Sequence, residues 1–503
     1  MPRGKRKGLN FRGKHVRRND PRGVIKDLGP LFARPQTPCE SVSDGQFFTR
    51  VGRFSAFGMN ARKGVAMYRE SPFKLFVKYA IPQTIGLLLN SVYLIVDGMF
   101  IGNRLGRDAM AAAAIAVPVV EILIALSLSI SVGASIIIST NFGAGNTKKA
   151  NDAFNLSLVI ATLAALLIAA LGNLYMDELA VLLGSTPDIQ TEAVEYLWYI
   201  VTGSPFLIYS FAFSSYARSD NQPKLAMTAL AIGAVSNIVL DYVFLYPLDM
   251  GIGGAALATA LGPVFSVMII LPHFLRKRGL LHFSIPAPSP KLAWSILYLG
   301  APAFIMEFSI GLVTLFYNIA INTNGFGELG LAAYLTIGYI ALILLSVFLG
   351  IGQGVQPMIS YFHGRNDHAR NRALMTFLFK AVTGIGILMY AGVIFLARPF
   401  IAIFTPSDAE LIDFTHSQAT VYFSGFVFAG ISILIITYFQ SIQKAIPAFF
   451  LALFRSAIFV PLFLFAFPAV WGRNAVWSAL SAAELVTFVI AAVAYFRSAR
   501  TGI

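Results

Sequence analysis

The chain has 503 residues, of which 57% are hydrophobic and only 12% are charged. Soluble globular chains carry about 25% charged residues, so this composition excludes an ordinary soluble domain and indicates a lipid environment. The single cysteine, Cys39, excludes an intramolecular disulfide, a thiolate zinc cluster and an iron–sulfur site within one chain. The sequence contains no glycine-rich nucleotide loop after a strand and no Gly-x-Ser-x-Gly motif, and it therefore predicts neither an enzyme nor a cofactor.

The net charge of +14 is concentrated in the N-terminal segment 1–66. This segment holds fifteen Lys and Arg against four Asp and Glu, a net charge of +11 that leaves +3 for the remainder of the chain. Because the charge belongs to a tail, 1–70, which we predict to be disordered, it gives no reason to expect a nucleic-acid partner. The tail could bind anionic lipid headgroups. Alternatively, translation starts at Met67, directly before the first apolar run.

Apolar runs that can cross a hydrocarbon core of roughly 30 Å, which takes about 20 helical residues, recur along the rest of the chain. They lack the ten-residue alternation of a closed β-barrel, so we predict an all-α integral membrane protein with twelve transmembrane helices. The predicted spans are 73–101, 109–138, 150–173, 193–216, 224–246, 253–275, 292–320, 330–359, 371–397, 414–440, 445–468 and 475–497.

The basic residues that flank these spans are distributed unequally between the two sides. From Arg69 onward, seventeen Lys and Arg residues lie at the helix ends on the side of the chain termini, and four lie at the opposite ends. Short cytoplasmic loops are enriched in Lys and Arg. We therefore predict a multi-pass protein of the plasma membrane with both termini in the cytoplasm.

The two halves of the chain resemble each other when they are aligned span by span. The tripeptide 80–82, Ala-Ile-Pro, recurs at 300–302 as Gly-Ala-Pro. Each half holds six spans, so the halves have the same topology, and we predict two bundles related by a pseudo-twofold axis along the membrane normal. Such bundles enclose a central cavity that suits alternating access. The predicted domains are an N-terminal bundle, 71–275, a cytoplasmic linker, 276–291, and a C-terminal bundle, 292–503.

Two aspartates, Asp97 and Asp241, fall well inside predicted spans, where a carboxylate costs roughly 2.5–3.5 kcal/mol at the helix centre. Asp97 in the first span and Asp241 in the fifth lie at similar depth, about 6–8 Å inside the extracellular boundary. Asn237 is one turn deeper on the same face as Asp241, and Thr259 in the sixth span is at that depth too. We predict a cation-coupling site, with Na⁺ as a possible ligand; the alternative is that the acids are simply solvated near the headgroups.

The acids of this site occur in only one half. In the alignment of the two halves, Asp97 corresponds to Asn318, and Asp241 corresponds to Leu462. A packing or solvation role does not require charge in one half alone, whereas an ion-coupling site does not need a copy in both halves. The asymmetry therefore favours ion coupling.

Three glutamates lie near the middle of predicted spans: Glu121, Glu307 and Glu484. A cavity lined by carboxylates attracts cations. We take Glu121, Glu307 and Arg455 as candidates for the substrate cavity and leave the role of Glu484 open. The alternative is that the glutamates form internal ion pairs, for instance with Arg455.

The chain resembles the multidrug and toxic compound extrusion (MATE) family over about 72–497. The resemblance implies export of organic cations, often drugs, in exchange for Na⁺ or H⁺, and the family's N-half cation site falls on Asp97, Asn237, Asp241 and Thr259. The sequence departs from the pattern at 218–221, Arg-Ser-Asp-Asn, where many relatives carry Arg-x-x-Gly-Asn. The segments that carry the resemblance are 95–102 with 105–106, 143–146, 237–241, 251–259 and Arg455.

The function that we predict is a secondary active antiporter, acting as a monomer, that exports cationic small molecules in exchange for H⁺ or Na⁺. The alternative is a flippase for a lipid-linked precursor, which would be expected to line its cavity with arginines. Only Arg455 and Lys380 lie deep in spans. Two neighbouring carboxylates can hold a proton or a sodium ion, so the coupling ion stays open.

Overall fold

The computed structural model describes residues 70–404 and 408–500, so the predictions on the basic tail, Cys39 and Met67 lie outside the described residues. The described residues form helices joined by short connections. Twelve membrane spans, α1 to α12, run through them: α1 Pro72–Arg104, α2 Arg107–Gly143, α3 Thr147–Leu174, α4 Gln190–Ser219, α5 Pro223–Leu245, α6 Gly251–Leu275, α7 Pro290–Thr323, α8 Gly327–Gly364, α9 His368–Phe404, α10 Ala409–Tyr422 with Phe426–Ser441, α11 Ala445–Trp471 and α12 Arg473–Ala499.

Each predicted span overlaps one of these helices, which confirms the all-helical fold with twelve spans. The tenth span differs from the prediction, since it is two helices bent by 46°. The hydroxyl of Ser481 donates to the carbonyl of Tyr422 at 2.8 Å and accepts from the backbone N–H of Gly425 at 2.9 Å, so backbone groups freed by the break are satisfied. A short helix, Met176–Leu182, joins α3 to α4 and was not predicted.

Side-chain caps fix where several of the helices begin. The hydroxyl of Ser71 accepts from the N–H of Lys74, and that of Ser289 accepts from the N–H of Leu292. Each cap is followed by a proline, Pro72 or Pro290. An N–H at this position would have no partner within the helix, so its absence from proline costs nothing. The predicted linker therefore ends at Ser289, because its last proline already belongs to α7.

Large apolar side chains cover the outside of the helices, as a lipid environment requires. Leu388, Phe395 and Leu163 are 72%, 76% and 63% exposed. The buried positions are instead rich in Ala, Gly and Ser, which let helices approach closely in a bilayer. Helices α1–α6 pack on one another, as do α7–α12, and the two sets meet where α2 packs on α7 and α8 and where α1 packs on α8.

The two sets of helices touch most closely at the end where α1 begins and α2 ends, which we call the basic end. A methyl group on Gly133 of α2 would overlap the backbone of α7, and one on Gly300 of α7 would overlap the backbone of α2. Gly354 of α8 lies in the same way against Ala80 of α1. The basic end is therefore closed by backbone contacts.

The connection between α6 and α7 is held against α3. Asn151 donates to the carbonyl of Leu280 at 3.0 Å and accepts from the N–H of His282 at 2.9 Å. Asn155 repeats this pattern, with the carbonyl of His282 and the N–H of Ser284. The two asparagine side chains thus hydrogen-bond to backbone N–H and C=O groups of the connection. The middle of the connection is therefore fixed against the first set of helices.

Candidate functional site

The two intramembrane acids of the first six helices face each other. Asp97 on α1 and Asp241 on α5 are 7% and 0% exposed, and their carboxyl groups lie within hydrogen-bonding reach. One oxygen of each carboxyl group, Oδ1, is buried without any hydrogen-bond partner. Two buried carboxylates within hydrogen-bonding reach of each other repel unless a proton or a cation lies between them.

Asn237 and Thr259 complete this cluster. With its amide oriented so that both ends are satisfied, Asn237 donates to Asp241 Oδ2 at 3.1 Å and accepts from the N–H of Thr259 at 3.2 Å. The structure therefore brings together the four residues that spacing selected. α1 continues to Arg104, so Asp97 lies further from the helix end than the sequence indicated.

Two tyrosines beside this cluster were missed at the level of sequence. Tyr196 on α4 is 5% exposed and lies beside the side chain of Thr259. Tyr93 lies one turn before Asp97 on α1, close enough to both acids for their charges to act on it. A phenol in an apolar run gives no sequence signal, because tyrosine is common in membrane helices; the i, i+4 spacing of Tyr93 and Asp97 was the one available cue.

A central cavity lies between the two sets of helices. It offers about 210 Å³ to the centres of water-sized molecules. The predicted residues Glu121, Glu307 and Arg455 line it, together with Glu484. Glu121 and Glu307 interact electrostatically, and Glu121 Oε2 is buried without a hydrogen-bond partner. The wall of the cavity thus presents two carboxyl groups for which no basic partner is found among the described residues.

Arg455 and Glu484 form an ion pair with two contacts. Arg455 Nη2 lies 2.7 Å from Glu484 Oε1, and Arg455 Nε donates to Oε2 at 3.0 Å. The helix α11 widens into a π turn at Leu453–Ile458, where Arg455 lies. The internal pairing considered for the glutamates therefore holds for Glu484. Arg455 reaches the cavity as one half of a neutral pair.

A polar cluster closes the path from the cavity to the basic end. Gln83 of α1 donates to Gln353 of α8 at 2.9 Å and accepts from Arg218 at 2.8 Å. Arg218 also donates to Ser214 at 2.8 Å, and it is only 4% exposed. From sequence, Arg218 stood out only as the start of a divergent segment. Because Gln83 and Gln353 come from different halves, no spacing rule could have paired them.

Burial indicates slightly different counterparts in the second half from those given by the sequence alignment. Asn318 is exposed, whereas Tyr317 is buried as Asp97 is. Leu462 is 54% exposed, whereas Leu464 is buried as Asp241 is. The counterparts of the two acids are therefore Tyr317 and Leu464. The counterpart on α11 moves by two residues, of which the π turn of α11 accounts for one.

No group of three or more His, Cys, Asp and Glu side chains within 70–404 and 408–500 is arranged to hold a metal ion. Two carboxyl groups, an amide and a hydroxyl come together at Asp97, with the phenols of Tyr93 and Tyr196 beside them. Such oxygen donors suit a proton or a hard monovalent cation.

Comparison with known families agrees with this architecture. The MatE family matches the chain twice, at 82–243 and at 302–465, so each half contains one copy. The chain belongs to the MatE family, whose members are transporters. The two matched segments also confirm the internal repeat.

Similar proteins and solved structures extend over nearly the same length. The multidrug export protein MepA of Staphylococcus aureus (strain N315) is 26% identical over 441 residues, which cover 85% of this chain and 95% of MepA. MepA of Staphylococcus saprophyticus is 24% identical. A MATE family multidrug resistance transporter in an outward-facing conformation superimposes with a TM-score of 0.80 at 24% identity, covering 85% of this chain and 96% of that one. A MOP superfamily transporter from Pyrococcus furiosus Vc1 gives 0.80 at 23% identity.

Proposed function

We propose that this protein is an ion-driven antiporter that exports cationic small molecules by alternating access. The observation that carries the proposal is the buried, facing pair Asp97 and Asp241 beside a cavity that presents Glu121 and Glu307. One set of carboxyl groups serves the coupling ion, and the other serves the substrate. MepA, a similar protein, is described as a multidrug export protein, which supports a drug-like substrate.

The coupling unit consists of Asp97, Asn237, Asp241 and Thr259. Each binding event of H⁺ or Na⁺ removes the repulsion between the two acids, and each release restores it. Burial makes that difference large, because few water molecules can screen the charges. The occupied and empty sites therefore favour different packings of α1 against α5, which is what ion-driven switching requires.

The substrate cavity attracts cations because Glu121 and Glu307 face it, and no basic partner of either is found among the described residues. An organic cation there replaces the water that stabilises the two carboxyl groups and contributes the missing positive charge. Binding cations this way needs no free arginine, and the arginine that lines the cavity, Arg455, is neutralised by Glu484. That pairing argues against a cavity for pyrophosphate-linked lipids, the alternative function.

The orientation follows from charge. The basic end lies in the cytoplasm of a plasma-membrane protein with both termini inside, as the excess of Lys and Arg there favours. With that end closed by glycine contacts, this conformation corresponds to the outward-facing state of the proposed cycle. The N-terminal bundle 71–275 and the C-terminal bundle 292–503 then rock about the cavity, with 276–291 as their cytoplasmic linker.

Transport in reconstituted vesicles tests the proposal. A fluorescent organic cation is offered to vesicles on which a Na⁺ gradient and a pH gradient are imposed separately. We expect one of the two gradients to drive uphill movement, and Asp97→Asn to abolish it while exchange of internal for external substrate persists. Uphill movement that survives Asp97→Asn would reject the coupling role.

A further inference from the structure

A second, smaller cavity lies among α1, α4, α5 and α6, and we call it the chamber. It offers about 30 Å³ to the centres of water-sized molecules, which is enough for about two waters. Asn237 and Thr259 of the coupling unit form part of its wall. Other oxygen-bearing side chains on its wall are Asn90, Tyr93, Ser210 and Ser266.

The chamber is separated from the central cavity by two shared residues. Asn90 on α1 and Phe211 on α4 line both spaces. The path from the cavity to Asp97 and Asp241 along this line therefore passes Asn90 and Phe211, crosses the chamber and reaches Asn237. Asn237 in turn donates to Asp241.

The equivalent position in the other half is filled. In α5, the buried residues Ala226, Leu230 and Gly233 recur in α11 as Ala448, Ala452 and Arg455. In α6, Gly262 and Ser266 recur in α12 as Ala483 and Thr487, which makes Glu484 the counterpart of Pro263. Gly233 and Pro263 line the chamber, whereas Arg455 and Glu484 are joined as an ion pair. A salt bridge thus stands where the first half has space for water.

The counterparts of the coupling unit have changed in the same way. Tyr317 replaces Asp97, and its hydroxyl accepts from the backbone N–H of Leu480, the counterpart of Thr259. Leu464 replaces Asp241. The half that lacks counterparts of Asp97 and Asp241 is thus also the half in which this space is filled. Space for water beside the acids is what a hydrated ion would need in order to reach them.

We propose that the chamber binds water and a hydrated monovalent cation, H₃O⁺ or Na⁺, in transit between the central cavity and the Asp97–Asp241 pair, and that Asn90 and Phe211 form its entrance. The proposal rests on the proposed function, since it assumes that the pair binds the coupling ion. A cation leaving bulk water needs oxygen atoms to replace its hydration shell. The amides of Asn90 and Asn237 and the hydroxyls of Ser210 and Thr259 supply them.

This arrangement ties ion access to substrate occupancy. The chamber adjoins the cavity in which the substrate lies, so a bound organic cation would block the ion's route by volume and by charge. Ion and substrate would then compete without sharing a single ligand. That is the relation that an antiporter needs, because simultaneous binding would dissipate the gradient.

Ion-jump currents test the chamber without any organic substrate. Purified full-length protein is reconstituted, and vesicles adsorbed on a solid-supported membrane receive a step in pH in one arm and in Na⁺ in the other. Ala234→Val and Ser210→Val each fill the chamber. We expect the decay of the transient current to slow by at least about tenfold in either variant. Phe211→Ala widens the entrance and should quicken the decay. The arm that gives a current identifies the ion.

The matched control is Ala229→Val, an equally buried alanine of α5 that does not line the chamber, and it should leave the current unchanged. Asp97→Asn separates the two proposals. If it retains the current, the coupling role fails; if it abolishes the current while both filled variants keep wild-type kinetics, only the chamber fails. If thermal melting shows that Ala234→Val and Ser210→Val unfold, the test rests on Phe211→Ala and Asn90→Ala. Wild-type decay of the current in both of these variants would overturn the chamber proposal.

Discussion

Gly133 of α2 and Gly300 of α7 face each other so closely that a methyl group on either would overlap the backbone of the other helix. The pseudo-symmetric contact is that of Gly354 on α8 with Ala80 on α1. These two contacts close the basic end on either side of the approximate axis. In the proposed alternating-access cycle these contacts form only while that end is closed, so side chains added there would act on one conformation and not on the other.

We therefore predict that Gly133→Ala and Gly354→Ala shift the population away from the closed basic end. Overpacking a tight contact costs about 1–3 kcal/mol, which changes a two-state ratio by about fivefold to a hundredfold. The measurement is labelling of Ser135→Cys, a buried residue near this closure, by an impermeant maleimide applied from the basic side, with Cys39 replaced by Ser. We expect faster labelling in both glycine variants.

Gly311 on α7 provides the control for these substitutions. A methyl group on it would meet no atom within 4 Å, so Gly311→Ala should label at the wild-type rate. Equal labelling rates in Gly311→Ala, Gly133→Ala and Gly354→Ala would show that the glycine contacts do not set the conformation.

A second prediction concerns Asp97 and Asp241, whose carboxyl groups lie within hydrogen-bonding reach. Asp97→Asn and Asp241→Asn should each abolish gradient-driven export, because either change removes the shared site for the ion. The double variant should cost little more than one single change, since acids that share an ion act as a unit. Uphill transport and counterflow exchange are measured side by side, and exchange should persist in all three variants. Additive losses would show two independent sites.

Asn318 is the matched control for the acids. It was the counterpart of Asp97 suggested by sequence, but it is exposed. Asn318→Ala should therefore leave gradient-driven export near the wild-type rate. A loss as severe as that of Asp97→Asn would contradict the assignment of coupling to the first half.

The sequence predicted what depends on local geometry and missed what depends on packing. The i, i+4 spacing of Asn237 and Asp241 places both on one helix face, so this part of the site could be found from sequence. The contact of Gln83 with Gln353 joins residues 270 apart, and hydropathy carries no information on it. The counterpart of Asp241 was wrong by two residues, and one of them comes from a π turn, which adds a residue without changing the apolar character of α11.

A third prediction concerns Glu121 and Glu307 in the central cavity. Glu307→Gln and Glu121→Gln remove a negative charge with little change in volume. We expect the dissociation constant of an organic cation to rise by about tenfold, because each charge acts in a partly dry cavity, and that of a neutral substrate of similar shape to change little. Binding to purified protein is measured by fluorescence or calorimetry. Equal losses for neutral and cationic compounds would assign the two residues a structural role.

The last prediction concerns the stability of the Arg455–Glu484 pair. Arg455→Met leaves the carboxylate of Glu484, 1% exposed, without its partner, and breaking a buried pair from one side costs about 3–5 kcal/mol. The melting temperature in detergent should therefore fall strongly in the single variant. In the double variant Arg455→Met with Glu484→Met, no charge is left to desolvate, so most of the loss should be recovered.

The exposed pair of Arg398 with Asp413 serves as the control for this cycle. Its N–O distance is also 2.7 Å, but both side chains are more than half exposed, and such pairs contribute about 0–1 kcal/mol. Arg398→Met should hardly change the melting temperature. An equally small change in melting temperature for Arg455→Met would show that Glu484 becomes hydrated or protonated when its partner is removed. The ion pair would then not be a fixed structural difference between the second half and the first. A double variant as unstable as the single one would instead show that Arg455 stabilises α11 through packing rather than charge.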